Sequence, residues 1–182
     1  MNRRDFLILG AGVALASCAP SPAAAKPSFY IVGDSIGEGL RWASGEPGDT
    51  KRGLPIRNGV PTIIHQIQGA PADATLIVSL GTNDAIAGTP VDMLAPYVTR
   101  ILDERHGRRL VWVGPPEPHT SWVLRAKTVD AYLFGAVPAA GGIYVSLIGQ
   151  AYKPPHAPDG VHYALAGYKA LWRVVSAAAA KP

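Results

Sequence analysis

Ser35, His162 and Asp159 are the side chains in this 182-residue sequence whose types and spacing could do chemistry together. Serine, histidine and carboxylate are the parts of a nucleophile–base–orienter triad, which is recognised by role and not by chain order. A serine hydroxyl is a poor nucleophile at its own pKa and needs a base within hydrogen-bond reach. Imidazole titrates near neutrality, so His162 could take that proton and return it. Asp159 stands three residues before His162. One turn can carry both, with the carboxylate on Nδ1 and Nε2 left to face a hydroxyl. The Asp159-Gly160 step equally suits a turn or a helix cap, and the two roles are compatible.

The elements that must position these groups are short apolar runs alternating with amphipathic stretches. Phe29 to Val32 reads as a buried strand ending at Gly33, and Leu54 to Arg57 as a short second strand ending at Asn58-Gly59. Ala74 to Leu80 is β-branched, uncharged and closed by Gly81; Leu110 to Val113 and Ile143 to Leu147 complete five strands. Apolar residues at three-and-four spacing predict helices over Pro61 to Gln68, Val91 to Arg105, Ser121 to Val137 and Tyr163 to Ala179. In the last, Leu165, Tyr168, Leu171, Trp172 and Val175 share one face. The alternation predicts an α/β fold: a three-layer α/β/α sandwich around a five-stranded parallel sheet. Ligands of such sheets bind at the carboxyl ends of the strands. Gly33-Asp34-Ser35, Asn58-Gly59 and Gly81-Thr82-Asn83-Asp84 all follow a predicted strand, and Asp159-Gly160-Val161-His162 precedes the last helix.

Those four blocks, in that order, resemble the SGNH/GDSL hydrolases, a family named for the Ser, Gly, Asn and His of such blocks. The resemblance spans Gly33 to His162, with Ile36 where many members have Leu. It implies the flavodoxin-like SGNH hydrolase fold, with Ser35 as nucleophile, His162 as base, Asp159 as its partner, and no cofactor. It also implies an oxyanion hole made of the Ser35 and Gly59 backbone N–H groups and the Asn83 side chain. Acyl transfer builds negative charge on a carbonyl oxygen, and donors aimed at it in advance stabilise that charge. Asp34 and Asp84 beside these positions read as turn residues bonding nearby backbone N–H groups.

The substrate is less sharply written. Arg41 to Gly53 reads as a polar, Gly-rich insertion carrying Trp42, and Gly114 to Trp122 as a loop over the same sheet edge. Trp42 and Trp122 are candidates for stacking on sugar rings, whereas Trp112 and Trp172 lie in apolar patterns and read as core. His65 and His106 read as helix residues, His119 and His156 as surface loop residues. No histidine pair has the spacing of a metal site, so a metal hydrolase is disfavoured.

The first segment reads as an address. Arg3-Arg4 before an apolar run from Phe6 to Leu15 resembles a twin-arginine export signal, with Asn2 in place of the usual Ser/Thr. Leu15-Ala16-Ser17-Cys18 resembles a lipobox, which would place a lipid on Cys18. The expected organisation is thus a signal peptide over 1–17, a lipidated cysteine and linker over 18–27, and one domain over 28–182. Simple secretion with cleavage after Ala23-Ala24-Ala25 is the alternative. Either way the domain is expected outside the cytoplasm, in the cell envelope or periplasm.

A net charge of +4, scattered along the chain, disfavours a nucleic-acid partner, and a single cysteine excludes an internal disulfide. Hydrophobic residues at 48% and charged residues at 16% fit one globular domain, expected to be a monomer. The function that the resemblance to the SGNH/GDSL hydrolases implies, together with the expected export, is a serine esterase, an O-acetylesterase on envelope or extracellular carbohydrate. The alternatives are an arylesterase, thioesterase or lysophospholipase, or a non-catalytic binding module that keeps the fold.

Overall fold

The computed structural model describes residues 28–119, 121–150 and 153–181. The expected export signal, Cys18 and the linker lie outside the described residues. Five parallel strands, β1 (Phe29–Gly33), β2 (Gly48–Thr50), β3 (Thr75–Ser79), β4 (Leu110–Pro116) and β5 (Ile143–Leu147), form one sheet in the order β2-β1-β3-β4-β5. The helices are α1 (Ser35–Ser44), α2 (Ile56–Gln68), α3 (Thr82–Ala87), α4 (Ala95–Asp103), α5 (Val123–Ala139) and α6 (Leu165–Ala180).

Strand pleating sends alternate side chains to opposite faces, and each face is covered. Ile31, Ile77, Val111 and Val113 pack with Ile36 and Leu40 of α1 and with Tyr168, Leu171 and Val175 of α6. Val32, Leu76, Val78 and Trp112 pack on the other face with Val60 and Ile63 of α2, Val98 and Ile101 of α4, and Val129 and Leu133 of α5. Trp112 is fully buried, and its indole N–H is satisfied by the Leu80 carbonyl at 3.2 Å. This is the expected α/β/α sandwich. The sheet order reverses at β1, which is flanked by β2 and β3, and the crevice outside the strand ends at such a point is where open α/β sheets hold ligands.

The second strand differs from expectation. β2 is Gly48–Thr50, inside the stretch read as an insertion, and Leu54 to Arg57 forms no strand. Instead α2 starts at Ile56 and runs through Pro61. Pro61 stands in the second turn, so its missing N–H leaves only the exposed Arg57 carbonyl without an intrahelical donor. Pro55 stands at the cap of α2 and its ring can accept no hydrogen bond; Asp84, 28 residues from Ile56, accepts from the Ile56 N–H at 2.7 Å. Asp84 therefore caps a different helix and not its own turn. Burial raises its pKa, and the Ile56 and Arg57 N–H groups oppose that rise.

Candidate active site

The turn from β1 into α1 places Ser35. Gly33 has φ 125°, a conformation open in practice only to glycine. A Cβ there would lie 2.0 Å from the Ser79 carbonyl oxygen of the neighbouring strand. The Gly33 N–H donates to the buried Gln66 side chain of α2 at 3.0 Å. Asp34 is the N-cap of α1, its carboxylate accepting from the Ile36 N–H at 2.9 Å, as its turn role predicts. Ser35 is thus the first residue of α1. Its own N–H is among those a helix start leaves without an intrahelical partner.

His162 comes from the loop between β5 and α6. Its Nε2 lies 2.9 Å from Ser35 Oγ, across 127 residues of sequence, and its Nδ1 lies 2.6 Å from Asp159 Oδ2. The other Asp159 oxygen accepts from the Val161 and His162 N–H groups, each at 2.9 Å. The bond from His162, followed by that from the Val161 N–H, lowers the Asp159 pKa to about 2. An ionised carboxylate can only accept, so the ring proton belongs on Nδ1 and Nε2 is left to accept from the Ser35 hydroxyl. Asp159 is therefore a turn residue and not a helix cap, since Ala164 stands at the start of α6. Its half-exposed carboxylate bonds both the turn and the imidazole.

Asn83 stands at the start of α3, after β3 and Gly81. Its Nδ2 donates to the Leu54 carbonyl at 3.2 Å and to Asp34 Oδ2 at 3.4 Å, both long contacts. Asp34 also accepts from Ser79 Oγ at 3.2 Å. It thereby ties the ends of β1 and β3 to the helices that follow them. Asp34 is fully buried, and that burial raises its pKa to about 6 against the hydrogen bonds that lower it. The sequence reading of Asp34 as a turn residue is correct but missed this longer reach.

Ser35, Asn83 and His162 open onto a cleft of about 530 Å³, whose walls include Trp42, Ile86, Leu165 and Tyr168. Two expected site residues are not there. Gly59 lies inside α2 as the fourth residue after the cap, where its N–H makes the first intrahelical bond, to the Pro55 carbonyl. Its lack of a side chain accommodates Leu54, whose Cδ1 would be 2.7 Å from an added Cβ. The glycines that do line the cleft are Gly39 of α1 and Gly53, the latter left-handed at φ 71° in the connection from β2 to α2. The signal of Gly53 was the Gly-Asp-Thr-Lys-Arg-Gly run, hidden because β2 has no apolar residue. Trp122 is 7% exposed and packs in the core at the start of α5, so it lines nothing a sugar could reach. Trp42, by contrast, is 66% exposed at the cleft. Arg52 lies 5.5 Å over its ring and is paired with Glu38 at 2.5 Å. Leu165, expected on one face of the last helix with Tyr168, Leu171, Trp172 and Val175, is 57% exposed at the cleft. Among the described residues no group of three or more His, Cys, Asp or Glu is gathered as a metal ion would require.

No family model matches the sequence, and no curated protein does. Solved structures do match. A family 3 carbohydrate esterase from Clostridium thermocellum superposes with TM-score 0.63 at 16% identity, over 82% of this chain and 93% of that one. A GDSL-like lipase from Bacteroides thetaiotaomicron gives 0.66 at 15%, over 84% and 87%. A variant of an acetyl-xylooligosaccharide esterase from Geobacillus gives 0.65 at 12%, over 86% and 95%. At such identities the likeness is one of architecture, and that architecture is the GDSL/SGNH hydrolase fold.

Proposed function

We propose that the chain hydrolyses carboxylic esters through an acyl-enzyme on Ser35. The observation that carries this reading is the unbroken run from Ser35 Oγ to His162 Nε2 at 2.9 Å and from Nδ1 to Asp159 at 2.6 Å. In the proposed reaction Ser35 Oγ attacks the ester carbonyl while His162 Nε2 takes the hydroxyl proton. The imidazolium, stabilised by Asp159, gives that proton to the departing alcohol oxygen, leaving the acyl group on Ser35. Water then attacks the acyl-enzyme by the same route and releases the acid. The transient oxyanion would be held by the Ser35 N–H, the Gly53 N–H and Asn83 Nδ2. Gly53 takes the place first given to Gly59, because it faces the cleft. The long Asn83 contact to Asp34 is the one a forming oxyanion would displace.

The substrate class we propose is an acetyl ester on carbohydrate, with small synthetic esters as surrogates. An acetyl group needs little room beside Ser35, so most of the cleft would take the alcohol part, against the exposed face of Trp42. Two fold neighbours bear the names of carbohydrate esterases. A second reading, an ester of a longer acyl chain, is favoured by Ile86 and Leu165, exposed on the same walls. Hydrolysis of p-nitrophenyl esters by the purified domain tests the activity, and Ser35→Ala must abolish it. A rate rising from acetyl to octanoyl would replace the acetylesterase by the second reading. We further propose export, with lipid on Cys18. Mass spectrometry of the protein from whole cells should show a diacylglyceryl adduct there, and an unprocessed cytoplasmic chain would refute it.

A further inference from the structure

His119 and His156, expected to be surface loop residues, pack ring against ring with centroids 4.4 Å apart and planes tilted by 38°, and the stack continues beyond them. His156 lies 4.5 Å from Tyr163, and Tyr163 meets Tyr168 edge-on at 5.5 Å. Tyr168 in turn fills the space over Gly39 of α1, where an added Cβ would lie 2.1 Å from the ring. The ladder thus crosses from the β4–α5 loop, under the loop that carries Asp159 and His162, to the helix that begins with Ser35. The same loops are joined by backbone: the His119 N–H donates to the Gly160 carbonyl at 2.9 Å, and His156 bridges Tyr163. Ala157 N–H to the His162 carbonyl at 2.8 Å closes the turn. Gly160 lies between the two residues of the proposed orienter–base pair.

We propose that His156 is a positioning residue for that pair: stacked between His119 and Tyr163, it holds the Asp159–His162 turn in place until both imidazoles of the stack are protonated. This rests on the reading of the site given above. One proton on the stack is tolerated, since a cation on an aromatic face is favourable. Two imidazolium rings at 4.4 Å repel, and the ladder opens at the joint beside Gly160. Burial first, and then the neighbouring His119, hold the His156 pKa below the usual imidazole value, while the His162 backbone and, after it, Asp159 pull it upward. The other groups around the stack were considered. Glu117 of the β4–α5 side and Lys153 of the β5–α6 loop line the adjoining cavity, where they are paired with each other, and Lys127 of α5 lies 3.9 Å from Glu117. Together those three groups carry a net +1, which adds to the repulsion within the stack and does not replace it.

The test compares log(kcat/KM) against pH, from 4 to 8, for the wild type, His156→Phe and His119→Gln, each shown folded by circular dichroism. Phenylalanine keeps the stack and cannot be protonated; glutamine removes the repelling charge. Both variants should lose one proton from the acid limb, making it one unit shallower than the wild type. Other acid-side groups, Asp34 among them, titrate in all three proteins and cancel. NMR supplies a readout that needs no turnover: in the wild type the Gly160 amide should shift with a component that follows the His156 ring, and in His156→Phe that component should vanish, leaving only those of the groups both proteins share. Equal acid slopes in all three proteins, or a Gly160 amide indifferent to the His156 titration, would overturn the proposal. If no ester is turned over at all, the reading of the site fails while the Gly160 titration still decides this one.

Discussion

Replacing Asp159 by Asn probes the proposed site where its geometry is most demanding. The two backbone N–H groups of Val161 and His162 now donate to one carboxylate oxygen, and an amide oxygen can accept both. The other position, 2.6 Å from His162 Nδ1, would carry an NH2 group. That donor forces the proton off Nδ1 and onto Nε2, where it blocks acceptance from Ser35. Turnover should fall by roughly 100- to 10,000-fold, the upper end matching what a wrong tautomer costs a serine protease. The lower end allows for solvent at a pair whose side chains are 50% and 38% exposed. Stability should change far less. The Asp159 pKa falls from 3.8 to about 2, a shift that would be worth about 2–3 kcal/mol if buried. Solvent screening of an exposed pair reduces that to about 1 kcal/mol. A depressed carboxylate stabilises the fold above its unfolded pKa, and the gain disappears as pH falls from about 4 through about 2. Initial rates on p-nitrophenyl acetate and denaturant melts from pH 2 to 8 measure both effects. A variant within tenfold of wild-type turnover would refute the tautomer reasoning.

Asp34 has the opposite linkage. Its pKa rises from 3.8 to about 6, so it destabilises the ionised fold by about 3 kcal/mol above pH 6, and stability is lost as pH rises from about 4 to about 6. Asp34→Asn should flatten that part of the stability–pH curve and lower turnover by freeing Asn83; calorimetry across pH 4–7 reads the first effect. Asp84→Ala leaves the buried Ile56 N–H without its acceptor, and the part-buried Arg57 N–H without a long one, and should cost about 2 kcal/mol in urea melts. Gly59→Ala should keep kcat within about fivefold, since the atoms that must give way are Cδ1 and Cγ of the Leu54 side chain and no backbone, and alanine favours the helix. A loss near 100-fold, the scale of a missing oxyanion donor, would restore Gly59 to that role.

What the sequence showed best was local. Gly33-Asp34-Ser35 and Asp159-Gly160-Val161-His162 each form one turn, so spacing alone carries their geometry. Strand recognition worked where apolar runs were continuous, as from Thr75 to Ser79. It failed for β2 because Gly-Asp-Thr has no hydrophobic signature; its strand character comes from pairing Gly48 to Thr50 with Ile31 to Gly33. That error placed the expected cleft glycine at Gly59, inside α2, whereas Gly53 of the β2–α2 connection lines the cleft. The proline at 61 looked like a helix start, the position proline prefers, while the true start was hidden in Asp84, a distant cap. Trp122 shows the same limit: a tryptophan in a Pro-rich stretch looks exposed until the first turn of α5 folds it into the core. The His119–His156 stack joins two loops and has no signature in either.

The central claim is that the Ser35 hydroxyl is activated by His162 within reach of an oxyanion hole. Treatment with diethyl p-nitrophenyl phosphate followed by peptide mass spectrometry tests it most directly. The account predicts a single diethylphosphoryl adduct on Ser35, slowed at least 100-fold by His162→Ala. An adduct on another residue, or labelling of Ser35 that proceeds equally fast without the imidazole, would contradict it.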